Sequence, residues 1–335
     1  MIETKIKQIR DDLYCAEIPL PKNPLKATNS YVIRGNERNL IIDTGMNRPE
    51  CKNALLWALD KLDIDLQKTD FFVTHLHADH VGLVDDLSAE DAVIYFNQPD
   101  ADILNHKNLW QLVCSLAGKH GFPEDLVDMA IDSHPGQRYS PKNPVDFTMV
   151  EEGDVIECGD YSFRCFATPG HTSGHTCLYE PKLKYFFSGD HILGDITPNI
   201  STWLDDSDPL GEYFNSLDRV YDLEIELVLP GHRSLIKDCR TRILELKEHH
   251  RMRLEEVLQI LNGSAPLSAY QVAAQMTWDL IADNWEDFPL MQKWFATGEA
   301  LAHICHLEAK GEISRIEQGR TQLFITRQQG GENNR

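Results

Sequence analysis

The run Thr74-His75-Leu76-His77-Ala78-Asp79-His80 directly follows the apolar stretch Phe71-Phe72-Val73. In an extended backbone, residues two apart project to one side, so His75 and His77 can grip one cation. Asp79 and His80 follow where the chain turns into a helix, and can reach toward a second cation a few ångströms away. The alternative is a set of solvated surface histidines, but four potential ligands in six residues at a strand-to-helix loop point to metal. Three later segments repeat the layout of a strand running into a loop that bears a ligand type. They are Phe166-Ala-Thr-Pro-Gly-His171, Phe186-Phe-Ser-Gly-Asp190 and Leu227-Val-Leu-Pro-Gly-His232. Each is weak alone, because a loop histidine is usually only that. Together they supply a third ligand for one site, a bridging carboxylate, and a third ligand for the other.

A pair of cations ~3.5–4 Å apart can share a hydroxide and bring its pKa near neutrality. A metal-bridging hydroxide of that kind attacks a carbonyl or phosphorus centre while the metals stabilise the developing oxyanion. Asp79 would orient the nucleophile and shuttle a proton afterwards. Two divalent ions are therefore the expected cofactors; His and carboxylate ligands suit zinc best, with iron or manganese also compatible.

These ligands need strands to carry them. NSYVIRG, NLIIDTG, DFFVTH and AVIYF read as strands, and between Met46 and Asp63 the period becomes helical, with Ala54, Leu55, Ala58 and Leu62 on one face. Strand and helix alternation of this kind predicts an α/β layered core. From about Asp100 to Pro141 the alternation breaks into two helices and a turn-rich end, read as a helical insertion that either lids a site or only packs. DFTMV, DVIECG, YSFRCFAT, KYFFSGD and IELVLPGH resume the strands. Asp208 caps a helix from Pro209 to about Tyr221, and a long helix from about Asp238 to Leu261 stops at Asn262-Gly263. The remainder, 264–335, reads as a small separate domain: a helix capped by Ser268, a helix from Gly298 to Ala309, a hairpin turning at Gln318-Gly319, and the polar tail RQQGGENNR. Helices followed by a hairpin resemble a winged-helix module.

The order H-x-H-x-D-H, then His171, Asp190 and His232, resembles the metallo-β-lactamase superfamily, and its hydroxyacylglutathione-hydrolase-like branch in particular. The resemblance runs from about Asn29 to His250 and includes the early IIDTG (Ile41 to Gly45) and the later S-G-D-H. It implies an αββα sandwich as the catalytic domain, 1–263, with metals at one edge between two sheets. It also implies one metal on His75, His77 and His171, another on Asp79, His80 and His232, and Asp190 bridging both. Asp43 would sit behind the metals, or would only shape the turn at its strand end. The chain departs from other branches: a flavodiiron-type reductase would carry Glu where His77 stands, and the commonest zinc β-lactamases carry Cys where Asp190 stands.

Composition narrows the setting. The 335 residues carry 32 Lys plus Arg against 53 Asp plus Glu, a net charge of −21, which repels phosphate backbones at long range. The N-terminus lacks an apolar signal region and no run approaches a membrane span. The eight scattered cysteines read as reduced, buried thiols, so a cytoplasmic protein is expected, with a homo-oligomer compatible. Among other histidines, His175 and His191 read as orienting groups or turn caps. His249 and His250 with Arg251 and Arg253 read as a solvated basic face, or a hold for an acidic substrate group. Lys107, Lys119 and His120 are ambiguous, and His303 and His306 read as structural.

The expected activity is hydrolysis of a small acyl substrate, preferably a thioester. A single-stranded RNA endoribonuclease is the alternative, against which stands the helix GEALAHICHLEAKG with one Lys and two Glu. A non-catalytic regulator working through the terminal module is the third reading. The apolar side of that module, Leu301, Ile304 and Leu307, predicts instead that it packs on the core or on a partner subunit.

Overall fold

The computed structural model describes residues 4–203, 207–279 and 284–327. These divide into two compact units. Unit 1 comprises 1–107, 134–198 and 212–244; unit 2 comprises 108–133, 199–211 and 245–335.

Unit 1 is built on two sheets. The first has seven strands in chain order: β1 (Lys5–Arg10), β2 (Leu13–Pro19), β3 (Ala27–Ile33), β4 (Asn39–Ile42), β5 (Thr69–Phe72), β6 (Ile94–Asn97) and β7 (Thr148–Val150). Pairing is antiparallel through β4 and parallel from β4 to β7. The second sheet runs in the order β12-β11-β10-β9-β8, from β8 (Val155–Cys158), β9 (Tyr161–Ala167), β10 (Thr176–Glu180), β11 (Tyr185–Gly189) and β12 (Leu227–Pro230).

Side chains alternate across each strand, so a strand covered on both faces is apolar throughout. Tyr31 and Ile33, Leu40 and Ile42, and Phe72 face the second sheet, where they meet Phe163, Cys165, Leu178, Phe187 and Leu229. Their neighbours Val32, Ile41 and Phe71 face the other way, onto α1 (Pro49–Lys61). That helix starts with Pro at its first position, and its buried stripe is Cys51, Ala54, Leu55, Ala58 and Leu59, the i, i+3, i+4, i+7, i+8 spacing of one face. Unit 1 also holds the short helices α2 (Ala78–Val81), α3 (Val84–Leu87) and α4 (Gln98–Leu104). This mixed α/β layering, two sheets with helices against the outer face of the first, is what the resemblance implies.

Unit 2 contains α5 (Leu109–Lys119) and α6 (Glu124–Ser133); α7 (Pro135–Tyr139) belongs to unit 1, where the sequence read only turns. The division falls inside α8 (Pro209–Tyr221) and α9 (Cys239–Leu261). Asp208 accepts from the Gly211 N–H (2.8 Å), and Gly263 follows α9 with φ +74°, as the cap and stop residues require. Unit 2 continues with α10 (Ala269–Ala273), which Ser268 and Gln271 cap reciprocally, then α11 (Leu290–Ala309) and the hairpin β13 (Ile313–Gln318) to β14 (Thr321–Thr326).

Several expectations are corrected. α11 begins eight residues before Gly298, since Trp294 and Ala296 are buried on the same helix; Gly298 lies in mid-helix, where Ser201 and Trp203 leave little room for a side chain. The stretch KEHHRMR is not a solvated face throughout. His250 and Arg253 are buried, His250 donates toward His303 (3.2 Å), and the Arg253 guanidinium lies 4.4 Å over Trp278. Strands β1, β2 and β10 were not read from the sequence. The polar tail after Arg327 lies outside the described residues. No helix among the described residues is long and apolar enough to cross a membrane.

Phe163 is fully buried between the sheets, stacked on Tyr161 and edge-on to Phe187. Phe163→Ala is expected to destabilise the protein by ~3–5 kcal/mol, read as a lowered urea midpoint.

Candidate metal centre

Every sequence-predicted site residue lies just beyond the C-terminal end of a strand, in the loop there or, for Asp79 and His80, in the short helix α2 that follows it. Asp43 follows β4, the His75–His80 run follows β5, His171 follows β9, Asp190 follows β11 and His232 follows β12. β4 and β5 are parallel, as are β11 and β12, and β9 points the same way as β11 because both are antiparallel to β10. The strand ends therefore gather on one edge of the sandwich, and all seven side chains converge there.

They form two overlapping groups. In the first, Nδ1 of His77 is 3.0 Å from Nε2 of His75 and 3.0 Å from Nε2 of His171. In the second, His232 Nε2 is 3.3 Å from Asp79 Oδ2, and His80 Nε2 is 3.7 Å from the same oxygen. Asp190 lies against both, 3.6 Å from His80 Nε2, 3.4 Å from His232 Nε2 and 3.7 Å from His171 Nε2. Three sets of potential ligand atoms each fall within 4.8 Å: His75, His77, His171; Asp79, His80, His232; and His75, His80, Asp190.

The hydrogen-bond network fixes which nitrogen of each ring faces inward. Asp43, buried, accepts from the Thr74 N–H (2.9 Å), the Thr74 hydroxyl (2.9 Å) and His80 Nδ1–H (2.8 Å). With its proton on Asp43, Thr74 Oγ1 accepts from His75 Nδ1–H (2.9 Å). His232 Nδ1–H donates to the Ala27 carbonyl (2.7 Å). Each of these rings thus presents an Nε2 lone pair to the cluster. His80 Nε2, His232 Nε2 and Asp190 Oδ1 are buried polar atoms with no hydrogen-bond partner. Buried polar atoms are rarely left so, and two imidazole nitrogens and a carboxylate oxygen aimed at one space are what a divalent cation satisfies once the rings give up a proton. The donor set, imidazole and carboxylate only, fits such an ion.

Electrostatics separate the halves. Burial, reinforced by neighbouring histidines, holds His75 well below the ordinary imidazole range and His77 down to about 3, so these rings are neutral and ready to coordinate. Burial opposes charge on His80 too, but Asp43, Asp190 and Asp79 lift it to about 9; Asp190 and Asp79 hold His232 well above its usual value in the same way. Asp190 and Asp79 resist their own desolvation through these histidines and stay well within the ionised range.

The supporting residues are ones the motifs do not announce. Asn29 donates to the carbonyls of Pro230 and Arg233 (both 2.9 Å), and the Tyr31 hydroxyl donates to Pro230 (2.8 Å), fixing the loop that bears His232. His175 accepts from the Asp190 N–H (3.1 Å), the orienting role its sequence position suggested, and Thr168 Oγ1 lies 2.8 Å from its other nitrogen. His191 is buried behind it, edge-on to Tyr213. Gly231 has no room for a side chain, because a Cβ would sit 2.5 Å from Asp190 Oδ1 and 2.8 Å from His80. Gly170, before His171, has φ +140° and a Cβ there would meet Tyr213 at 2.5 Å.

Comparison with known proteins identifies the family and the fold. The sequence model of the Metallo-beta-lactamase superfamily matches residues 23–232. A probable metallo-hydrolase of Bacillus subtilis (strain 168) is 28% identical over 315 residues, 88% of this chain and 92% of that protein. An atrochrysone carboxyl ACP thioesterase of Aspergillus chevalieri is 24% identical over 249 residues, 73% of this chain and 64% of its own length. A crystal structure of a metallo-beta-lactamase family protein from Thermus thermophilus superposes with a TM-score of 0.81 at 26% identity, covering 96% of this chain and 100% of that one.

The raised His80 has a consequence for the protein without metal. An ordinary histidine in the unfolded chain titrates near 6.5 and His80 in the fold near 9, so its ion pairing stabilises fully below about pH 6.5 and is lost as pH rises through 9. Chelator-treated protein should show a urea midpoint that falls between those values. Metal-loaded protein should lack that fall, because the cation replaces the proton.

Proposed function

We propose that this chain, which belongs to the metallo-beta-lactamase superfamily and is a hydrolase, cleaves acyl thioesters at a binuclear centre on His75, His77, Asp79, His80, His171, Asp190 and His232. The observation that carries this reading is the convergence of those seven side chains with three buried polar atoms lacking hydrogen-bond partners. His75, His77 and His171 would hold one divalent ion and Asp79, His80 and His232 the other, with Asp190 between them; zinc suits this donor set best. Such ions, when bound, supply Lewis acidity toward a carbonyl oxygen and acidify water.

The chain's own groups account for the rest. Asp79 is ionised and buried among the converging side chains, with 12% of its own side chain exposed, and it is the carboxylate assigned to orient an attacking water and take its proton. Returned to the departing sulfur, that proton completes the exchange of a thioester and water for a carboxylic acid and a thiol. Asp43 and the Ala27 carbonyl hold the Nδ1 side of the His80 and His232 rings, so that Nε2 of each points inward, where it would face a bound cation. A thioester is favoured over other acyl groups by the likeness to the Aspergillus chevalieri thioesterase. The net charge of −21 weighs against an RNA substrate.

The test is thiol release from a panel of acyl thioesters by zinc-loaded protein. Asp79→Ala is expected to lower kcat/KM by about 10²–10⁴-fold, and chelation to abolish release. Hydrolysis of lactones or RNA with no thiol release would discard the thioester.

A further inference from the structure

We propose that Asp100 is the positioning residue of the three-histidine half of the centre, and sets the cation affinity of that half separately from the other. The proposal rests on the reading of His75, His77 and His171 as ligands. Asp100 stands where the sequence places the start of the insertion, but it lies in α4 within unit 1 and is fully buried. Its Oδ2 accepts from the Leu76 N–H (2.9 Å) and the Thr172 hydroxyl (2.7 Å), and its Oδ1 accepts from the Gly174 N–H (2.7 Å).

The partners are telling. Leu76 stands between His75 and His77, and Thr172 follows His171. One carboxylate therefore ties the two loops of this half together across 94 residues of sequence between His77 and His171. A Cβ at Gly174 would come within 2.6 Å of the Asp100 backbone and 2.7 Å of its carboxyl carbon, so the loop lets Asp100 in only because glycine is there. All three contacts are donors. A carboxylate is acceptor-only and satisfies them, whereas an amide of the same shape must turn its NH₂ onto an N–H or O–H. None of these bonds reaches the loop that carries His232, which Asn29 and Ala27 hold instead. His75 and His77 grip from one loop and His171 from another, so a small relative shift of the two opens the triangle of nitrogens. Partners that orient ligands typically contribute about 10–100-fold to metal affinity.

The experiment is stepwise zinc binding to the full chain, by competition with a chromophoric chelator, with circular dichroism as the check on folding. Wild type should bind two equivalents; Asp100→Asn should weaken one constant by about tenfold or more and leave the other unchanged. Thr172→Val keeps the charge and removes one donor at a half-buried position, and should weaken the same constant less. In a His171→Ala background, where that half lacks a ligand, Asp100→Asn should leave the remaining constant unmoved. If Asp100→Asn folds poorly, Thr172→Val alone carries the test. Two constants that fall together, or neither falling, overturn the role of Asp100. Wild type that binds no zinc overturns the ligand reading itself.

Discussion

The centre depends on one buried carboxylate that is not itself among the converging ligands. Asp43 sits at the end of β4 with φ +58°, a left-handed conformation that a non-glycine residue adopts at some cost. The turn aims the carboxylate back under β5, where it takes the Thr74 N–H, the Thr74 hydroxyl and the His80 ring proton. A buried charge is tolerated only when paired and hydrogen-bonded, and here the pairing is also the instruction. Through His80 directly, and through Thr74 to His75, it decides which face of two imidazoles looks into the cluster. The Ser30 hydroxyl secures the turn by donating to the Asp43 carbonyl (2.7 Å).

That arrangement explains why so much of the core and centre was legible in the sequence. Side chains at the C-terminal ends of strands running in one direction must share an edge, so short apolar runs ending in Thr-His, Pro-Gly-His and Ser-Gly-Asp reveal their convergence before any coordinates. The parallel pairing of β4 with β5 and of β11 with β12 is what makes this inference work. Supports at a distance are another matter. Asp100 lies 24 residues beyond Leu76 in a stretch that reads as the edge of an insertion, and nothing local marks it as a shared acceptor. Asn29 and Tyr31 look like ordinary strand residues, and only their partners some 200 residues away show what they hold.

The first hairpin was missed for a different reason. β1 is mostly exposed and carries Lys5, Lys7, Gln8 and Arg10 beside two isoleucines, so its hydrophobic signal is thin and β2 supplies the buried side of the pair. An edge strand armed with charge resists pairing with another chain, which is a reason for the sequence to look so little like a strand. The basic run in α9 misled in the opposite sense. Lys, Glu, His and Arg in series suggest a wet face, yet Arg253 is buried inside unit 2, where its Nη1 meets the Thr277 carbonyl and Glu256 and its guanidinium lies over the Trp278 ring. A charged side chain can be buried when its long stem and planar head each find a surface to match.

The composition of unit 2 bears on how the chain matures. Phe122, Val127, Ala130 and Ile131 pack with Trp294, and the Trp203 ring lies tilted against the same indole at 4.3 Å. Helices α5 and α6 are thus synthesised early, with apolar faces whose central partner emerges from the ribosome only much later. Until α11 arrives, those faces must wait, loosely collapsed or shielded by a chaperone. A chain stalled before α11 would therefore expose the apolar faces of α5 and α6 without their central partner.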